Sequence, residues 1–233
     1  MTFSNISGWI VLDKGYGLSS TKSVSTIKKH LGIKKAGHLG TLDPLATGVL
    51  PVALGEGTKT IPYINSEIKE YKFTVRWGIS TSTDDLEGEV IAKSTFRPRK
   101  QEIRNILKKY IGTIKQNPPK YSAIKINGER AYNLSRRGLD FSLVKRNVEI
   151  KSIHVTNIID KDHASFELVC GKGTYVRSLA RDIALDLGTL GHVVDIRRTK
   201  VGLFTLSNSI CLDNKIESEK NLNIKNKIIS IDE

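Results

Sequence analysis

The chain has 233 residues, 39% hydrophobic and 26% charged, enough to bury a core as one domain or one domain plus a small appendage. Its formal charge of +13 points to a polyanionic partner, with a solubilising surface charge as the alternative. Two cysteines, Cys170 and Cys211, exclude a disulfide framework and lack metal-ligand spacing, and no segment approaches a membrane span in length. The N-terminus has no basic run and its apolar stretch, residues 9–12, is too short for a signal peptide. A reduced, cytoplasmic protein with no membrane partner is expected.

Residues 9–12 read as a buried strand. "SSTKSVSTIKKHLG" reads as a helix with Ser19 or Ser20 as N-cap, an apolar stripe of Val24, Ile27 and Leu31, and Gly32 after its end. A long glycine-rich loop should follow, leading to a short strand near residues 49–54. "YKFTVRWGIS" alternates, so Tyr71, Phe73, Val75, Trp77 and Ile79 share one face, and "GEVIAKST" is expected beside it. "RPRKQEIRNILKKYIG" reads as an amphipathic helix with Ile103, Ile106, Leu107 and Tyr110 inward. "ASFELVCGKGTYVRSLARDIALDLG" reads as strand, turn and helix, and "HVVDIRRTKVGLF" as a closing strand. From residue 213 the chain is polar, with four basic and five acidic residues, so the body before it carries +14.

One stretch stands apart: "GHLGTLDPLATGVLPVALGEGTK", residues 37–59, in which Asp43 is the sole acid between Lys14 and Gly55 while Lys14, Lys22, Lys28, Lys29, Lys34 and Lys35 surround it in sequence. Asp-Pro commonly starts a turn. A lone carboxylate in a positive neighbourhood is also a candidate for chemistry. Tyr71 reads first as a core tyrosine, Arg177 as a boundary residue on its helix, His38 as a loop histidine satisfied by backbone, and Lys14 either as a support for the loop, as a phosphate contact or as a surface lysine. Residues 120–146 hold seven basic residues against two acids, with Tyr121, Tyr132 and Phe141 among them, which suits an RNA loop and equally an ordinary surface hairpin.

The same stretch closely resembles the signature segment of the bacterial tRNA pseudouridine synthase B family. "VLDKGYGLSS" precedes it, and "EYKFTVRWG", "GKGTYVRSLARDI" and "GHVVDIRRTKVG" follow in order, so the similarity runs over residues 8–212. The resemblance implies an α+β fold with a mixed, mostly antiparallel central sheet flanked by helices and an RNA-binding cleft near Asp43. It implies isomerisation of uridine 55 in the T arm of tRNA to pseudouridine, with no cofactor and no metal. Glycosidases use a second carboxylate to activate water, whereas here one nucleophilic carboxylate, Asp43, takes part in both halves of the reaction. Attack at C1′, attack at C6 and a glycal intermediate all remain open.

By the same resemblance Tyr71 stacks on the target base, Arg177 pairs with Asp43, Tyr175 and Ile196 line the uracil pocket, and His38 enters the T loop once the base is flipped out. Ile196 stands where leucine is more usual in the family, and Gly15 where proline is. Residues 1–212 are then the catalytic domain, residues 118–146 an insertion that clasps the T arm, and residues 213–233 a tail with little packing that cannot make the PUA domain many relatives carry. A monomer is expected. The rivals are a tRNA-folding chaperone, a guide-RNA-dependent relative and, more remotely, a nucleoside hydrolase.

Overall fold

The structure, a computed structural model, describes residues 5–64, 67–212 and 224–230. Its strands are β1 (Gly8–Lys14), β2 (Ala36–His38), β3 (Thr47–Leu54), β4 (Lys69–Trp77), β5 (Ile79–Thr81), β6 (Val90–Lys93), β7 (Gly112–Gln116), β8 (Lys125–Ile126), β9 (Glu129–Arg130), β10 (Arg146–Ile158), β11 (His163–Cys170), β12 (Gly191–Val201), β13 (Phe204–Thr205) and β14 (Ser209–Leu212). The helices are α1 (Ser20–Leu31), α2 (Lys100–Leu107), α3 (Ala131–Arg136) and α4 (Val176–Asp186). The central sheet is mixed and mostly antiparallel with few helices on it, the expected class, and the chain divides into two compact units, residues 1–71 with 197–233 and residues 72–196. Among the described residues no helix is long and apolar enough to cross a membrane.

In the first unit the strand order is β14-β1-β3-β12, with β2 on β3 and β13 on β12. β1 runs antiparallel to β3, matching Ile10 to Val52 and Leu12 to Leu50, all four fully buried. Each such side chain contributes roughly 1.5–3 kcal/mol by leaving water. A second cluster packs Trp9, Val11, Leu39, Val49, Ala53, Val201 and Phe204, with the Trp9 and Phe204 rings 5.3 Å apart. β12 pairs parallel with β3 through Arg197 opposite Thr47 and Arg198 opposite Gly48. Gly48 has φ of +102°, and a Cβ there would sit 2.1 Å from the Arg198 carbonyl oxygen, so only glycine fits.

Helix α1 starts and stops where its caps dictate. The Ser19 hydroxyl accepts from the Lys22 amide at 3.1 Å, and Gly32 closes the helix at φ of +62°. The glycine-rich loop is shorter than expected. Residues 36–38 form β2, with His38 opposite Val52, and β3 begins already at Thr47, leaving eight irregular residues. Over residues 224–230 the tail touches β1: Trp9 and Ile229 exchange both backbone hydrogen bonds at 2.8 Å, and Ile224 is buried. Residues 213–223 and 231–233 of the tail lie outside the described residues.

In the second unit the order is β4-β11-β10-β7. Phe73, Val75 and Trp77 point inward as the alternation predicts, with Phe73 stacked on Phe166 at 5.1 Å and Trp77 edge-on to the same ring at 6.1 Å. The expected neighbour of this strand is found at one end only: β6, from "GEVIAKST", pairs with β5 through Ile79 and Ser80 in a separate two-stranded sheet, while β11 lies beside β4. Gly78, at φ of +83°, ends β4 and turns the chain into β5. α2 buries Ile103, Ile106 and Leu107 as read from its pattern. Residues 118–146 hold the hairpin β8–β9, turned by Asn127 and Gly128 at positive φ, and then α3.

Candidate active site

Asp43 sits half-buried in the irregular stretch between β2 and β3. A four-residue turn, with the Ala46 amide donating to the Asp43 carbonyl at 3.1 Å, sets its backbone, as an Asp-Pro pair favours. The stretch is fastened from three sides. The Ser20 hydroxyl, buried at the start of α1, donates to the Leu42 carbonyl at 2.9 Å and accepts from the Leu42 amide at 2.8 Å. Lys14, at the end of β1, donates to the carbonyls of Gly15 (2.9 Å), Leu18 (2.7 Å) and Pro44 (3.2 Å). Arg198, on β12, donates through Nε to Val49 (2.8 Å), through Nη2 to Gly40 (2.8 Å) and through Nη1 to Thr41 (3.3 Å), all carbonyl oxygens.

Both cations are buried, with exposures of 0% for Lys14 and 1% for Arg198, which decides between the three readings of Lys14: it supports the loop. Burial pushes the Lys14 ammonium down to a pKa of about 8, against the opposing pull of the Asp43 carboxylate. Burial likewise lowers the Arg198 guanidinium, and Tyr71 and Asp43 counter it. Asp13, on β1, is held in a two-pronged ion pair with Arg197 at 2.6 and 3.0 Å.

Tyr71 is 8% exposed, and its phenol hydrogen-bonds the Arg198 guanidinium, so the ring is fixed at both ends. His38 lies on β2 with its Nδ1 buried and without a hydrogen-bond partner. The structure therefore does not supply the backbone bond that a satisfied loop histidine would have at that atom. Burial and the Arg198 charge keep the ring's pKa below its ordinary value.

The second unit holds Tyr175, Arg177 and Ile196. Tyr175 is the residue just before α4, half-buried, and its backbone is gripped by the buried Gln116 side chain, which accepts from the Tyr175 amide at 2.8 Å and donates to its carbonyl at 3.1 Å. Arg177 is buried on the first turn of α4, not a boundary residue. It donates to the carbonyls of Thr83 and Tyr121, both at 2.9 Å, and its Nη1 lies 3.5 Å from the Asp85 carboxylate, itself buried. One turn on, Arg181 donates to Asp84 at 2.8 Å and to the Asn117 carbonyl at 2.9 Å. Ile196 is half-buried on β12.

Sequence reading missed Arg198, Gln116 and Asp85. The first had a signal: in "DIRRTKVG" one of two adjacent arginines on a strand must face inward. Gln116 and Asp85 had none, since their partners lie 59 and 92 residues away. Within each unit the named residues do gather: Asp43, Tyr71 and His38 around Arg198 in the first, Tyr175 and Arg177 at the start of α4 in the second. Among the described residues no group of three His, Cys, Asp or Glu side chains is placed to hold a metal ion.

Comparison with known proteins gives the family. The family model described as TruB family pseudouridylate synthase (N terminal domain) matches residues 28–176. The tRNA pseudouridine synthase B of Mesorhizobium japonicum is 54% identical over 86% of this chain and 61% of its own length. That of Caulobacter sp. (strain K31) is 52% identical over 89% and 67%, and that of Bartonella henselae 48% over 98% and 74%. The chain thus spans about two thirds of the length of these curated relatives. Among solved structures, a Cbf5-Nop10-Gar1 complex matches at a TM-score of 0.68 and 31% identity, over 90% of this chain and 54% of that one. An H/ACA RNP bound to a substrate RNA containing 2′-deoxyuridine matches at a TM-score of 0.68 and 27% identity, over 96% and 58%. The chain belongs to the TruB family of pseudouridylate synthases.

Proposed function

We propose that this chain isomerises uridine 55 in the T arm of tRNA to pseudouridine, with Asp43 as the nucleophile and the base flipped out of its loop before reaction. The observation that carries the reading is the fastening of Asp43: a half-buried carboxylate on a loop held by Ser20, Lys14 and Arg198, within the region matched by the family model. Names of relatives about half identical to this chain support tRNA as the substrate. The rearrangement balances without help from outside. The N1–C1′ bond breaks, a C5–C1′ bond forms, and the C5 proton ends on N1 or in solvent, so neither an oxidant nor water is consumed. A carboxylate that bonds transiently to the nucleotide preserves the severed half for reattachment.

In this reading Tyr71 offers its ring to the uracil, Tyr175 and Ile196 border the base, Arg177 supplies a positive charge, and His38 meets the T loop as a neutral ring. The insertion at 118–146 contacts the T-arm backbone through its exposed basic side chains. The protein acts as a monomer in the cytoplasm. The test is to incubate the purified chain with an unmodified tRNA transcript and map pseudouridine. Product at position 55 alone, without any guide RNA, supports the reading. No product without a guide would favour the guide-dependent branch represented by the H/ACA assemblies, and free uracil would revive hydrolysis.

A further inference from the structure

We propose that Arg198 is a positioning residue for this reaction, joining the Asp43 loop and the Tyr71 phenol through one buried guanidinium. The inference rests on the function proposed above and extends it to a residue that acts through two others. Arg198 is 1% exposed, so its own guanidinium is out of a substrate's direct reach. Its donors are divided between two segments that flank Asp43: Gly40 and Thr41 before it, Val49 after it. The same group bonds the Tyr71 phenol. The reacting carboxylate and the ring assigned to the base are therefore registered against a common rigid plane.

The chemistry of the side chain matters here. Guanidinium directs its N–H groups in a fixed planar fork, so three carbonyls and a phenol can be met at once only if their positions agree with that fork. A lysine in its place keeps the charge but carries all its donors on one nitrogen, and it cannot reach carbonyls on both sides of the loop. The surrounding backbone is built to admit the arginine. Gly48, opposite Arg198 in the sheet, brings the two strands into an approach that any Cβ would block, and a Cβ at Gly40 would lie 3.3 Å from Nη1.

A residue needed only for folding would lower stability, and tRNA binding with it. One that sets the spacing of two reacting groups lowers the rate of the chemical step and spares binding. The test uses the full chain and tRNA labelled with tritium at C5 of uridine, comparing wild type, Arg198→Lys, Tyr71→Phe, the double variant and Asp43→Ala. Single-turnover label release by Arg198→Lys should fall about 100-fold, the scale of an ångström's misplacement, while tRNA affinity is kept. The double variant should be no slower than the slower single, because both substitutions break the same connection. A wild-type rate for Arg198→Lys, an equal loss of rate and affinity, or losses that multiply in the double variant would overturn the proposal. If Arg198→Lys does not fold, Tyr71→Phe decides, since it removes only the hydroxyl: a slowed rate with affinity kept supports the connection, and an unchanged rate overturns it. Label release by Asp43→Ala removes the underlying function, whereas an inert Asp43→Ala beside a fully active Arg198→Lys removes the positioning role alone.

Discussion

Lys14 shows how much a single buried charge can govern. Its ammonium faces three carbonyl oxygens and the Asp43 carboxylate, and burial holds its pKa near 8 against 10.5 in the unfolded chain. Between those two values the unfolded chain binds the proton and the folded chain does not, so stability rises with pH there, by up to about 3 kcal/mol from this group. Over the same range the loop loses the positive charge beside Asp43. Unfolding midpoints measured from pH 8 to 10 should therefore show this gain from Lys14 while turnover falls. Lys14→Met should abolish the turnover inflection near pH 8; an inflection that persists would assign it to another group. Asp43 itself was legible from its motif, and the burial of Lys14 and Arg198 was not. Their carbonyl partners lie up to 158 residues away, and a strand pattern cannot tell an inward arginine from a snorkelling one.

Among the elements, α1 does more than pack. Its first residue, Ser20, satisfies both backbone groups of Leu42, so the start of the helix also sets the loop that carries Asp43. Ser20→Ala leaves those buried groups unpaired and should cost about 1–3 kcal/mol, read by urea titration, with a larger proportional loss in turnover than in tRNA binding. Caps and apolar stripes made α1, α2 and α4 legible, because each depends on residues within a turn or two. The long strand β10 was not read at all. A register shift between Ile150 and Ser152 moves its inward positions from Val148 and Ile150 to Ile153 and Val155, which erases the two-residue period. The break between β4 and β5 was hidden for a different reason: the alternation of "YKFTVRWGIS" continues across Gly78, so the segment that pairs with β6 read as the end of one longer strand.

At the scale of the molecule, net charge is the property most plainly carried from sequence to behaviour. The +13 charge predicts tRNA binding that weakens steeply with salt. The exposed residues Lys125, Arg130 and Arg136 of the insertion are the test positions. Replacing each with Glu should weaken binding and flatten the plot of log affinity against log salt by about 0.9 for every phosphate no longer neutralised, leaving the single-turnover rate at saturation unchanged. An unchanged salt slope would remove the insertion from the RNA interface. Order along the chain, the α+β class and the family were all legible because short motifs at fixed sites carry them. The separation into two units was not, since β4 and β12 each run from one to the other without a break in pattern. The account as a whole turns on one carboxyl group. Tritium release from C5-labelled uridine in tRNA measures it directly: wild type should liberate label from position 55, and Asp43→Ala should bind the tRNA and liberate none. Release by that variant at the wild-type rate would contradict the account.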